Sequence, residues 1–162
     1  MAKINSGTQE IERRWLVKTI PEEIDISTLL FSEIKQWYIS KKPVIRIRQQ
    51  DGNEFILCVK VQGDKKSLAR PEQEIKINKK EFQSLVKRSI TEPIIKKRFF
   101  FVYKKFIGEL DIFYGHLKGL IVIEVEFKTE KEAHTFVAPE WFGKEITGIR
   151  KYSNSALAKI KK

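Results

Sequence analysis

The chain has 162 residues, 41% of them hydrophobic, and a single cysteine, Cys58. That length suits one domain with a sizeable core, while a lone thiol excludes an internal disulfide and offers no cysteine metal site. With 32 Lys and Arg against 21 Asp and Glu the net charge is +11, which implies attraction to polyanions without saying which kind.

The opening "MAKINSGTQ" carries no apolar signal region, and no apolar run approaches a membrane span, so a cytoplasmic protein with no membrane partner is expected. No low-complexity segment, linker or repeat divides the chain, and residues 1–162 read as one domain. Strand-like runs rich in Ile, Val, Phe and Tyr come first, at 9–18, 34–41 and 43–50. "DGN" at Asp51 to Asn53 turns the chain tightly into a run at 54–62, and another follows at 70–78. "NKKEFQSLVKR" then changes period: Asn78 can cap a helix, Glu81 can reach back to it, and Phe82, Leu85 and Val86 fall on one face. Strands resume at 93–105, 107–115 and 119–128, the last two joined by "YGHLKG" at Tyr114 to Gly119. "TEKEAHTFV" repeats the capping logic with Thr129 and Glu132, and "SNSALAKIKK" predicts a third, C-terminal helix through Ala156, Leu157 and Ile160, with lysines at its C-terminal end. A mainly β (α+β) fold is expected, either a barrel or a strongly curved antiparallel sheet, with short flanking helices.

Six of these strands carry a like-charged pair at i, i+2, which places both charges on one face. They are Glu10 and Glu12, Arg46 and Arg48, Glu72 and Glu74, Lys96 and Arg98, Glu109 and Asp111, and Glu124 and Glu126. One doublet alone reads as the wet face of an antiparallel sheet. Six together do not, because a wet face mixes signs to keep like charges apart. Closing the strands makes the charged face a lumen and turns Ile11, Trp15, Ile45, Ile47, Ile112, Ile123 and Val125 outward. Acid pairs could then hold hard divalent cations, and Arg and Lys pairs, with Lys60 in the same register, could grip phosphate oxygens. Such a lumen fits a metal-complexed chain of phosphates better than a nucleic-acid duplex, which needs an external basic surface, so no nucleic-acid partner is expected.

"EIERRWLV" resembles the E-x-E-x-K signature of the CYTH superfamily, the adenylyl cyclase and thiamine triphosphatase group also called triphosphate tunnel metalloenzymes. "QWYI", "RIRQ", "EQEI", "KKRF" and, most specifically, "ELDIFYGHLKGLIVIEVEF" from Glu109 to Phe127 resemble further family motifs in order, as do "PEWFGKEIT" and "KYSNSALA" near the end. The likeness runs from Glu10 to Ala158 and implies an eight-stranded antiparallel β-barrel forming a charged tunnel. It also implies metal-assisted phosphoryl transfer from a small-molecule triphosphate to water, with Mg2+ or Mn2+. By position, Glu10, Glu12, Asp111, Glu124 and Glu126 would hold metal. Arg46, Arg48, Lys60, Lys96 and Arg98 would bind phosphates, with Glu72 and Glu74 a further acidic pair in the substrate site, and Arg14, Tyr38 and Lys96 would be the catalytic residues. Tyr38 matches the family's tyrosine, and Lys151, in the segment that can close one tunnel mouth, is a ligand candidate.

Two residues depart from the pattern. Arg14 stands where the signature has lysine, and it can bind phosphate but cannot act as a base toward Tyr38. Cys58 stands where threonine is common, and a lone cysteine is usually a small inert hydrophobe. His116 and His134 have no partner at metal spacing, and the run Phe99 to Tyr103 reads as packing. Hydrolysis of inorganic tripolyphosphate is the leading expectation. Class IV adenylyl cyclase, thiamine triphosphatase and a non-catalytic polyphosphate or nucleotide sensor are the alternatives, and a homodimer is compatible with any of them.

Overall fold

The computed structural model describes residues 8–60 and 69–161. Nine strands form one antiparallel sheet: β1 (Thr8–Leu16), β2 (Phe31–Lys41), β3 (Val44–Gln50), β4 (Glu54–Lys60), β5 (Ala69–Lys76), β6 (Ile94–Tyr103), β7 (Phe106–Tyr114), β8 (Ile121–Glu126) and the two-residue β9 (Lys144–Glu145). Their order is β5-β4-β3-β2-β6-β7-β8-β1-β9. β1 is shared: its C-terminal half pairs with β8 and β9, and its N-terminal half pairs with β5, Ile11 opposite Ala69 and Glu10 opposite Arg70. The eight expected strands are present, and residues 61–62 of the expected 54–62 run lie outside the described residues. β9 is the addition, an edge segment too short to show a period of two.

The β3–β4 hairpin turns at Asp51 and Gly52, both with positive φ (50° and 79°), the twist that tight hairpins favour. Helix α1 (Lys79–Lys87) begins with the expected capping box, Asn78 accepting from the Glu81 N–H while the Glu81 carboxylate accepts from the Asn78 N–H. Helix α2 (Glu130–Thr135) is capped by Thr129 in the expected way. The C-terminal helix is a correction, because α3 covers only Asn154–Leu157. Beyond it the backbone bonds to the segment before β6: Glu92 N–H donates to the Lys159 carbonyl and Lys161 N–H to that of Ile90. Extended pairing satisfies the groups that a longer helix would have used.

Alternation sorts the long strands into an inner face, charged on all but β2, where Ile34, Gln36 and Tyr38 point in, and an apolar outer one, and the main core lies on the outside. Trp15, Phe101, Leu110, Ile123, Val125, Phe136 and Phe142 form a buried cluster beneath α2 and the 3-10 turn at Glu140–Phe142. Trp15 packs edge-on against Phe142 at 5.1 Å between ring centroids. On the opposite side, α1 sets Phe82 against Phe55 and Trp37. A second cluster, Tyr38, Ile94, Phe113, Val122, Ile146 and Ala158, fills one end of the sheet, where the C-terminal segment lies. Among the described residues no helix is long and apolar enough to cross a membrane.

Gly143 ends the 3-10 turn at φ 75°, ψ −146°, a region open essentially to glycine, and a Cβ there would collide with the Leu16 carbonyl oxygen. Gly143→Ala is expected to cost about 2 kcal/mol or more, read as a lower midpoint in urea unfolding. An unchanged midpoint would mean that the turn relaxes freely.

Candidate active site

Strand order turns the doublets into two continuous walls. β7, β8, β1 and β5 are consecutive neighbours and bring Glu109 and Asp111, Glu124 and Glu126, Glu10 and Glu12, and Glu72 and Glu74 side by side. β4, β3, β2 and β6 make the other wall, with Lys60, Arg46 and Arg48, the polar Gln36 and Tyr38, and Lys96 and Arg98. Between the walls lies a cavity of about 380 Å³, lined by these residues except Asp111, and by Arg14, Ile34, Val44 and Ser153 to Ser155.

Where the walls meet, opposite charges interlock. At the β6–β7 seam, Arg98 donates to both oxygens of Asp111 (2.7 and 2.8 Å), reaches Glu124 at 2.6 Å and pairs with Glu109. Lys96 pairs with the same Asp111, which has no exposed surface. At the other seam Lys60 bridges Glu10 (2.7 Å) and Glu72 (2.9 Å), and Arg46 donates to Glu72 at 2.8 Å. Arg48 reaches Glu74 at 3.1 Å. Arg14 stands on the acidic wall, with Nε 3.0 Å from Glu124 and Nη1 donating to the Tyr152 carbonyl at 3.0 Å.

The wall centres are less well matched. Glu12 lies opposite Glu126, and Glu109 opposite Glu124, placements that repel. Burial, reinforced by Glu12, raises the Glu10 carboxyl to about 8. Burial followed by Glu124 raises that of Glu12, and burial raises Glu109 to about 7 against the pull of Arg98. Against burial, Arg46, then a hydrogen bond with Glu10, then Lys60 hold Glu72 low, as Arg98 and Arg14 do for Glu124. Burial lowers Lys96, with Arg98 adding to the effect, and raises Tyr38.

The donor sets suit two kinds of ligand. Glu12 and Glu126 make no ion pair within 4.0 Å among the described residues, so two facing carboxylates are available to a hard divalent cation. Opposite them Arg46 Nε and Arg48 Nε, and beside them on the acidic wall Arg14 Nη2, are buried N–H groups without a hydrogen-bond acceptor, a state that phosphate oxygens would relieve. Cys58 donates to Glu72 at 2.6 Å, and its thiol is pushed up to about 12 by burial. Cys58, Glu72 and Glu74 have ligand atoms within 4.8 Å of one another, but Arg46, Arg48 and Lys60 already neutralise that corner.

The structure brings together Glu10, Glu12, Arg14, Tyr38, Arg46, Arg48, Lys60, Glu72, Glu74, Lys96, Arg98, Glu124 and Glu126 around one cavity. Asp111 lies behind the wall as the anchor of Lys96 and Arg98. Lys151 is exposed on the 3-10 turn Arg150–Tyr152, its ammonium over the Tyr152 ring, and does not line the cavity. Glu109, read as half of a doublet but given no role in the site, lines it, as do Gln36 and the Ser153 to Ser155 stretch. Glu109 shares the Asp111 doublet and was legible by that pattern, whereas the serines are placed by the C-terminal segment and carry no periodic signal.

No family model matches the chain. An inorganic triphosphatase of Nitrosomonas europaea is 36% identical over 153 residues, 92% of this chain and 96% of the relative. One of Acetivibrio thermocellus is 29% identical over 154 residues, 93% of this chain and 94% of the relative. A crystal structure of an inorganic triphosphatase superposes with a TM-score of 0.66 at 33% identity, covering 93% of this chain and 95% of that one. The interlocked acidic and basic walls and this full-length likeness agree: the chain belongs to the family of the inorganic triphosphatases, within the CYTH or triphosphate tunnel metalloenzyme superfamily.

Proposed function

We propose that this chain hydrolyses inorganic tripolyphosphate to diphosphate and phosphate, with Mg2+ or Mn2+, in a tunnel made by closing its eight long strands as a β-barrel. The pairing of β1 with both β8 and β5 supports the closure. The observation that carries the reading is the facing of unpartnered carboxylates, Glu12 and Glu126, by buried unpartnered guanidinium donors across one cavity. Both curated relatives are inorganic triphosphatases, which supports the substrate. The same reading puts the reaction in the cytoplasm, on a small-molecule triphosphate.

Glu12 and Glu126, flanked by Glu10 and Glu124, would hold the divalent cation, which when bound neutralises phosphate oxygens and activates water. Arg46 and Arg48 offer forked donors to the phosphate chain, and Lys60 adds a point charge. Asp111 positions Lys96 and Arg98 so that their charge meets what develops on the departing phosphate, without reorganisation at the moment of reaction. Tyr38, whose hydroxyl accepts from Gln36 Nε2 at 3.2 Å, keeps its proton because burial raises its pKa, and it can donate to a phosphate oxygen in the cavity. Arg14 binds phosphate through Nη2 while its other arm fixes the C-terminal segment at Tyr152.

Purified protein given tripolyphosphate with Mg2+ or Mn2+ should release phosphate and diphosphate in equal amounts. Binding without product would sink the reading. Arg98→Ala should lower kcat by about 10²- to 10³-fold. Arg14→Lys keeps the charge near Glu124 but loses the fork, and should lower stability by about 1 kcal/mol with turnover retained. Abolished turnover in that variant would make the guanidinium itself indispensable.

Glu12→Gln removes the repulsion with Glu126 and should stabilise the EDTA-treated protein by about 0.5 kcal/mol. It should also abolish the rise in Tm that Mg2+ or Mn2+ gives the unsubstituted protein. A full metal response in this variant would remove Glu12 from the cation site.

A further inference from the structure

The positive excess of the chain is not in the cavity. Six of the 32 Lys and Arg and eight of the 21 Asp and Glu belong to the charged inner face, so the remainder of the chain carries 26 cations against 13 acids. At the end of the sheet where the C-terminal segment lies, three basic segments converge. The turn after β2 brings Lys41 and Lys42, the end of α1 brings Lys87 and Arg88, and the C-terminal stretch brings Lys159 and Lys161. Lys41 Nζ donates to the Ala158 carbonyl at 3.1 Å. Lys161 Nζ donates to Ser89 Oγ at 2.6 Å and to the Val86 carbonyl at 3.4 Å. The backbone bonds between 159–161 and 90–92 complete the junction.

Glu92 is the one acid on these three segments, and among the described residues none of the six cations has a carboxylate within 4.0 Å. Such a face repels itself and attracts a polyanion. We propose that it is a binding site for linear inorganic polyphosphate longer than the cavity can hold. A flexible chain of charged phosphates needs only ammonium and guanidinium groups spaced along a surface. Single-stranded nucleic acid also wants aromatic platforms for its bases, and the three segments contain no aromatic residue. Their exposed apolar side chains, Ile90 and Ile160, are two isolated aliphatics, too little to anchor in a bilayer. None of the six cations lines the cavity, so the face is separate from it and does not depend on turnover there.

Anisotropy of end-labelled long-chain polyphosphate, titrated with the protein in EDTA, tests this. Binding should persist under excess tripolyphosphate at matched ionic strength. Lys87→Gln/Arg88→Gln/Lys159→Gln should weaken it about tenfold or more and flatten the salt slope by about two, while hydrolysis of tripolyphosphate with Mg2+ stays unchanged. Unchanged polyphosphate affinity in the triple variant, displacement by tripolyphosphate, or tighter binding of single-stranded RNA or of anionic lipid vesicles would each overturn the proposal.

Discussion

The Arg98–Asp111 pair is the contact on which the charged interior depends. Asp111 has no exposed surface, so its charge is tolerable only with full compensation, and losing one partner of such a pair costs about 3–5 kcal/mol. Arg98 supplies two hydrogen bonds to it and extends to Glu109 and Glu124, tying β6 to β7 and β8 through one guanidinium. Lys60 repeats the device at the opposite seam between Glu10 and Glu72. Two walls of opposite sign meet twice around the sheet, and at each meeting a cation is held by acids from two strands. Once the seams are locked, the unmatched groups in between are held in position for ligands.

A charged inner face forces the apolar core to the outside. Inner-face positions spend their burial on ions, whose desolvation cancels most of their mutual attraction, so hydrophobic stabilisation has to come from the outward residues and whatever covers them. This accounts for the aromatic density beneath α2 and the Glu140–Phe142 turn, where Phe136 and Phe142 each contact several rings. It also gives Arg13 a different task from Arg14. Pointing outward, Arg13 donates to the Ala133 and Phe136 carbonyls and holds Glu145 through two bonds, fastening the cover to the strand that bears the site.

The inner face was legible in the sequence because a period of two is imposed by strand geometry, and six same-sign doublets have no ordinary surface explanation. The caps at Asn78 and Thr129 were legible for a similar reason, being local chemistry. Which doublets neighbour which was not. Asp111 and Glu124 look alike along the chain, yet one lies behind the wall and the other on it, because that depends on how far each side chain is drawn into the β6–β7 seam. The C-terminal stretch misled because Ala156, Leu157 and Ile160 have helical spacing, while the unpaired backbone of Ile90 to Glu92 recruited residues 159–161 into extended pairing. Lys151 followed the expectation of a segment closing one mouth, and it lies on the outside, over the Tyr152 ring, while Ser153 to Ser155 line the cavity.

Charge in this molecule acts at two ranges. Inside, cations and carboxylates nearly balance, so discrimination rests on where the unmatched donors and acceptors sit, at hydrogen-bond distance and little screened by salt. Outside, an excess of 13 positive charges acts over about 10 Å and fades with ionic strength. A net-charge count merges the two and says only that polyanions are attracted. Separating them shows that the positive excess and the candidate catalytic cavity belong to different surfaces. Polyanion attraction and phosphate-chain recognition can therefore be tuned by different residues.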